Sequence, residues 1–173
     1  SCGDVAFWTE TIAQALKMVD KSKTANLEGP AAVAIPMLSL RLFSNAFCNP
    51  EALPVVVADA EKIIAVAKSP ISSSNKNVRL SVATLLHNAA VYIHSLSSNG
   101  GTKDLEGVAI EIITACNDIL TNYRSFEGEA IYRTLVSAGT LLLAIPTCHK
   151  RLTGSSWIPI HNIRSSSSSI TIG

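Results

Sequence analysis

The chain has 173 residues, enough for one domain with a continuous apolar core. Apolar residues make up 47% of it and aromatics only 5%, so the core must be built from Ala, Val, Leu and Ile, which suits closely packed helices better than a sheet sandwich. The formal charge of +1 argues against a broad phosphate-binding surface, and nucleic acid is not an expected partner.

Taken in chain order, Asp4 is placed to cap an amphipathic helix over Val5 to Val19, in which Phe7, Ile12, Ala15, Leu16 and Val19 follow a helical rhythm. Lys21 to Gly29 reads as a polar connector. Pro30 opens an Ala-rich helical stretch, and Pro36 predicts a kink or a restart, because its ring removes a ladder hydrogen bond and crowds the preceding turn. Met37 to Cys48 is the stronger helix. Asn49-Pro50 breaks the chain, and Glu51 to Ala67 resumes the period, with Pro54 tolerated in its first turn. Ser72 to Ser74 form a loop before a central helix, Asn75 to Leu96, and Ser97 to Gly101 end that helix. Leu105 to Tyr123 and Glu129 to Ile145 are the last two helices. From Lys150 the helical period is lost, and the Ser165 to Ser169 run carries too little patterned apolar surface to offset the entropy of ordering. The expected division is a helical domain over residues 1–149 and a low-complexity, disordered tail over 150–173.

Helices joined by short turns, without strand alternation, give an all-α fold, and the spacing of Leu40-Arg41-Leu42-Phe43-Ser44-Asn45 and Ala83-Thr84-Leu85-Leu86-His87-Asn88 is compatible with degenerate helical repeats of roughly 40 residues. Periodicity alone does not choose between a repeat array and a bundle. The longest apolar stretch, Leu135 to Pro146, is too short for a membrane span and contains Ser137, Gly139 and Thr140, so no membrane is expected. Cys2, Cys48, Cys116 and Cys148 lie far apart with no C-x-x-C pair. They are neither zinc ligands nor a disulfide framework, and read as reduced, mostly buried thiols of a cytosolic or nuclear protein.

Catalysis is not expected. His87 and His94 have the wrong separation for the metal pair of an H-E-x-x-H helix, and neither a G-x-S-x-G elbow nor a Cys/His signature occurs. Gly100-Gly101-Thr102-Lys103 lacks the first glycine of a phosphate loop and reads as a flexible turn. No metal and no cofactor are implied.

The informative pattern is polar. Asn77, Ser81, Thr84 and Asn88 are spaced i, i+4, i+7, i+11 and share one face of the central helix, while Val78, Val82, Leu85, Ala89 and Tyr92 take the adjoining core-facing stripe. Arg41 and Asn45 are one turn apart, and Glu129, Arg133, Ser137 and Thr140 form a third line. Asn both donates to and accepts from an extended peptide backbone, and Arg offers a planar fork for carboxylates, so this set suits an acidic peptide tail or a terminal carboxylate. Taken by themselves, the residues fit better a second role: Arg41 and Arg133 in internal ion pairs, for instance with Glu129, and Asn45 and Asn88 tying neighbouring backbones together. Asn75, Lys76 and Asn77 suit helix-start capping and ligand contact equally.

Three blocks carry a resemblance: Leu40-Arg41-Leu42-Phe43-Ser44-Asn45-Ala46-Phe47, the run N-K-N-x-x-x-x-x-A-T-L-L-x-N-x-A-V from Asn75 to Val91, and Tyr132-Arg133-Thr134-Leu135-Val136-Ser137-Ala138-Gly139-Thr140-Leu141. In this order they resemble the PUL domain, the C-terminal domain of the phospholipase-A-activating protein family, which also ends some plant proteins with a thioredoxin-like or PPPDE isopeptidase module. The resemblance spans most of Val5 to Ala144, and the family's further helices are expected before and after it. It implies an armadillo-like helical solenoid, not an enzyme, whose groove binds the C-terminal tail of the AAA ATPase valosin-containing protein in ubiquitin-dependent turnover, with ubiquitin itself bound by other domains. It reverses the order of the two roles, because Arg41 and Arg133 match basic positions of the family's groove. The peptide-binding set implied is Arg41, Asn45, Asn75, Lys76, Asn77, Thr84, Asn88 and Arg133. The rival readings are a generic armadillo or HEAT-type scaffold for another acidic peptide, and the targeting domain of a PPPDE isopeptidase or thioredoxin-like parent enzyme.

Overall fold

The structure, a computed structural model, describes residues 2–24, 27–68, 70, 73–97, 105–122, 124 and 126–145. Among them are seven helices and no strand: α1 (Cys2–Thr24), α2 (Pro30–Phe47), α3 (Leu53–Ala58), α4 (Ala60–Lys68), α5 (Lys76–Ser97), α6 (Glu106–Thr121) and α7 (Gly128–Ala144). The tail expected to be disordered, the boundary at residue 149 and the glycine-ended stop after Ser97 lie outside the described residues.

Three elements differ from the sequence pattern, the first being α1, which extends beyond Val5 to Val19 and takes in Lys21 to Thr24 of the expected connector. Helix α2 runs through Pro36 without a restart, entered from Gly29 at φ 66, a left-handed conformation open to glycine, with Pro30 at its first turn. Val33 and Met37 lean on the core to either side of Pro36, and Leu40, Phe43, Ala46 and Phe47 are buried beyond it, so packing outweighs the one lost ladder bond. The single helix expected over Glu51 to Ala67 is instead two. Asp59 separates them in a non-helical conformation, φ −111 and ψ 13, and its carboxylate accepts from Lys62 Nζ at 2.9 Å.

The chain winds as two layers of helices. Ser44 and Phe47 of α2 meet Asn88 and Tyr92 of α5, so these two helices run in the same direction. Thr84 and His87 of α5 meet Arg133 and Ser137 of α7, which places α7 parallel on the other flank. Behind this layer, α4 and α6 are also side by side: a Cβ on Gly107 would come within 3.3 Å of Glu61 Oε1, and Lys68 pairs with Glu111. Helix α1 packs on α2, α3 and α4. Equivalent positions recur 44 residues apart between α2 and α5 and 49 to 50 apart between α5 and α7, as expected of stacked helical repeats.

Alanine makes this stacking close. Ala46, Ala67, Ala83, Ala89, Ala90, Ala109, Ala115, Ala130 and Ala138 are buried between the helices, and Ile, Leu and Val fill the remaining space. Cys116 is a free thiol in this core, buried as expected and with its pKa pushed up to about 12 by burial, whereas Cys48 is free and exposed. By length and composition α2 is apolar enough to cross a membrane, but one face of it is core and the opposite face carries exposed Arg41 and Asn45.

Phe43 is the largest fully buried side chain among the described residues. Phe43→Ala is expected to cost about 3 to 5 kcal/mol, read from the urea midpoint followed by far-UV circular dichroism.

Candidate functional site

The polar stripes meet where α2 and α5 lie side by side. Arg41, Ser44 and Asn45 of α2 and Asn77, Leu80, Ser81 and Thr84 of α5 line an open cleft of about 160 Å³. Arg41, Asn45 and Asn77 are exposed, and their side chains make no hydrogen bond among the described residues. A free guanidinium, two free carboxamides and an apolar floor at Leu80 are the groups that an extended acidic peptide needs: a fork for a carboxylate, and donors and acceptors for a backbone.

The hydroxyls of the cleft are oriented by their own helix. Ser81 Oγ donates to the Asn77 carbonyl at 2.8 Å and Thr84 Oγ1 to the Leu80 carbonyl at 2.9 Å, so each oxygen keeps its capacity to accept. Thr84 uses that capacity: Arg133 Nη1, from α7, donates to it at 2.6 Å. The other prong of Arg133, Nη2, bonds Glu129 Oε1 at 2.8 Å, one turn earlier on α7. The ion pair foreseen between positions 129 and 133 is therefore formed, while Arg41 is without a partner among the described residues.

The remaining predicted residues take other places. Asn75 caps α5, its Oδ1 accepting the backbone N–H groups of Asn77 at 2.9 Å and Val78 at 3.3 Å. Lys76 begins the helix, exposed, and with Arg79 it helps hold the Glu127 carboxyl below its usual range, after the larger effect of a backbone hydrogen bond at Glu127. Asn88 donates from Nδ2 to Ser44 Oγ at 2.8 Å and to the Ser44 carbonyl at 3.2 Å, tying α5 to α2 beside the cleft. It is a structural tie in this structure.

Sequence reasoning assigned no role to Arg79. Its Nη1 donates to the carbonyls of Ser73 at 2.9 Å and Ser74 at 2.8 Å, Nη2 reaches Glu127 Oε1 at 2.8 Å, and the guanidinium stands 5.6 Å from the Phe126 ring. It fixes the loop before α5 to the segment before α7, and so sets the register of the two inner helices. The nearest signal in the sequence is its place in the first turn after a serine run, which does not reveal a partner 48 residues away. Ser44 and Leu80 also line the cleft without having been singled out as ligand contacts.

Among the described residues no group of His, Cys, Asp and Glu could hold a metal ion. An open polar cleft on one layer of a helical array can receive an extended peptide, and a family match marks the chain as a protein-interaction domain. The chain belongs to the PUL domain family, whose sequence pattern matches residues 3–159. It is 31% identical over 107 residues to the phospholipase A-2-activating protein of Xenopus laevis, an alignment covering 61% of this chain and 12% of that protein. The chain thus corresponds to a small part of this relative's length. No solved structure matches it significantly.

His87 lies beside this site, with Nδ1 3.4 Å from Ser137 Oγ, and its pKa is lowered from 6.5 by burial and, secondarily, by the Arg133 charge. The unfolded chain therefore binds a proton first. Stability due to this residue is complete above pH 6.5, and is lost as pH falls through the lower folded-state value. His87→Gln is expected to flatten that part of the stability curve, measured as melting temperature against pH.

Proposed function

We propose that this domain is a non-catalytic adaptor whose α2/α5 cleft captures the acidic, tyrosine-containing C-terminal tail of the valosin-containing AAA ATPase. The observation that carries the reading is Arg41: an exposed guanidinium without a described partner, at a cleft where Asn45 and Asn77 offer free amide groups. Membership of the PUL family supports a protein partner, and the tail is the partner that the family resemblance implies. In this reading Arg41 takes a tail carboxylate, Asn45 and Asn77 hold the backbone, and Thr84 with Arg133 extends the polar strip toward α7. The domain then acts in ubiquitin-dependent protein turnover in the cytoplasm or nucleus, with ubiquitin bound elsewhere in the parent protein.

Titration of a fluorescent tail peptide tests it. Arg41→Ala is expected to weaken binding at least tenfold, about 1.4 kcal/mol, with unchanged helicity because the side chain is exposed. The loss should shrink at high salt, where part of the attraction is screened. Equal binding of unrelated acidic peptides would favour a generic scaffold, and unchanged affinity in a folded Arg41→Ala variant would place the site elsewhere.

A further inference from the structure

The two arginines of the polar strip are in different states. Arg41 is unengaged among the described residues, whereas Arg133 has both prongs occupied, Nη1 by Thr84 Oγ1 at 2.6 Å and Nη2 by Glu129 Oε1 at 2.8 Å. Thr84 is itself part of the cleft wall, so Arg133 lies against the site without being open to it. An arginine fork is best satisfied by both oxygens of one carboxylate, and Glu129 supplies a single oxygen while a neutral hydroxyl takes the other prong. The Glu129 side chain is 58% exposed and that of Arg133 34%, and an exposed i,i+4 ion pair of this kind is weak. Its exchange for a better carboxylate costs little.

We propose that Glu129 is an internal competitor for the ligand: in the empty cleft its carboxylate occupies Arg133, and a carboxylate of an acidic peptide must displace it to use that guanidinium. This rests on the reading of the cleft as an acidic-peptide site, and adds a residue that lowers affinity. Glu129 acts by holding the fork, and that hold is lost in Glu129→Gln, which keeps the shape of the side chain. Arg133 then remains charged, with a neutral neighbour that a ligand displaces more readily.

The test is a double-mutant cycle with the acidic tail peptide, using wild type, Glu129→Gln, Arg133→Ala, the double variant and Arg41→Ala, each checked for helicity and melting temperature. Glu129→Gln is expected to tighten binding about two- to fivefold, the range set by an exposed pair of this type. Glu129→Ala should change affinity in the same direction, which covers the case in which Gln packs badly. The gain should disappear in the Arg133→Ala background, because the competitor acts through Arg133. A gain that persists there would reflect loss of negative charge alone and would overturn the proposal, as would unchanged or weaker binding in Glu129→Gln while Arg41→Ala still weakens binding at least tenfold. The last outcome would leave the cleft assignment standing. Failure of both wild type and Glu129→Gln to bind the peptide would remove the cleft assignment and this proposal together.

Discussion

Helix α5 is flanked by α2 on one side and α7 on the other, and its place between them determines what the domain can offer to a partner. Val78, Val82, Ala83, Leu85, Leu86, Ala89, Ala90 and Ile93 are all buried, so most of the circumference of α5 is committed to packing. Of its polar residues, Asn77, Ser81 and Thr84 line the face shared with Arg41 and Asn45 on α2, while Thr84 and His87 also reach α7. Because α2, α5 and α7 run in the same direction, polar lines at similar heights add up across the layer into a strip. The same line on an isolated amphipathic helix would be an ordinary solvated face.

Close stacking of this kind leaves few places for water, and four buried hydroxyls are satisfied within their own helices or by a neighbour. Thr134 donates to the Ala130 carbonyl, Ser137 to that of Arg133 and Ser81 to that of Asn77, while Ser44 accepts from Asn88. These groups would each be costly if left unpaired in a core of Ala, Ile and Leu. Asn88–Ser44 and Thr84–Arg133 are bonds between helices, and with the Arg79 clamp at the start of α5 they fix register where apolar contacts alone would permit sliding. The residues of the site are thus partly the residues that hold the layer together, which is why only some of them are free for a ligand.

Much of the helical pattern could be read in advance, since apolar spacing marked α1, α5, α6 and α7 to within a few residues. Local rules left alternatives open where tertiary packing decides: Pro36 predicts a kink or a restart, and the buried residues beyond it carry α2 through without a restart. The repeat spacing between the Leu40–Asn45 and Ala83–Asn88 blocks is too weak to choose between a repeat array and a bundle, and the armadillo-like winding is expected from the family resemblance alone. At the site, a helical wheel placed Asn77, Ser81, Thr84 and Asn88 on one face correctly, but it contains nothing about where α2 crosses. The crossing at Ser44 takes Asn88 out of the open cleft and leaves Asn77 in it. Asn75 had two compatible roles and its cap geometry selects one, whereas the contact between Glu129 and Arg133 was legible because one helical turn is a local distance.

The central claim is that the inner layer, and not the α4/α6 layer behind it, is the interaction surface, with the α2/α5 cleft at its centre. Backbone amide chemical-shift mapping of the isotope-labelled domain on addition of the acidic tail peptide tests this most directly. The expected result is a set of perturbed resonances concentrated at Arg41 to Asn45, Asn77 to Thr84 and the first turns of α7, with α4 and α6 unaffected. Perturbations centred on α4 and α6, with the cleft resonances unmoved at saturation, would contradict the account.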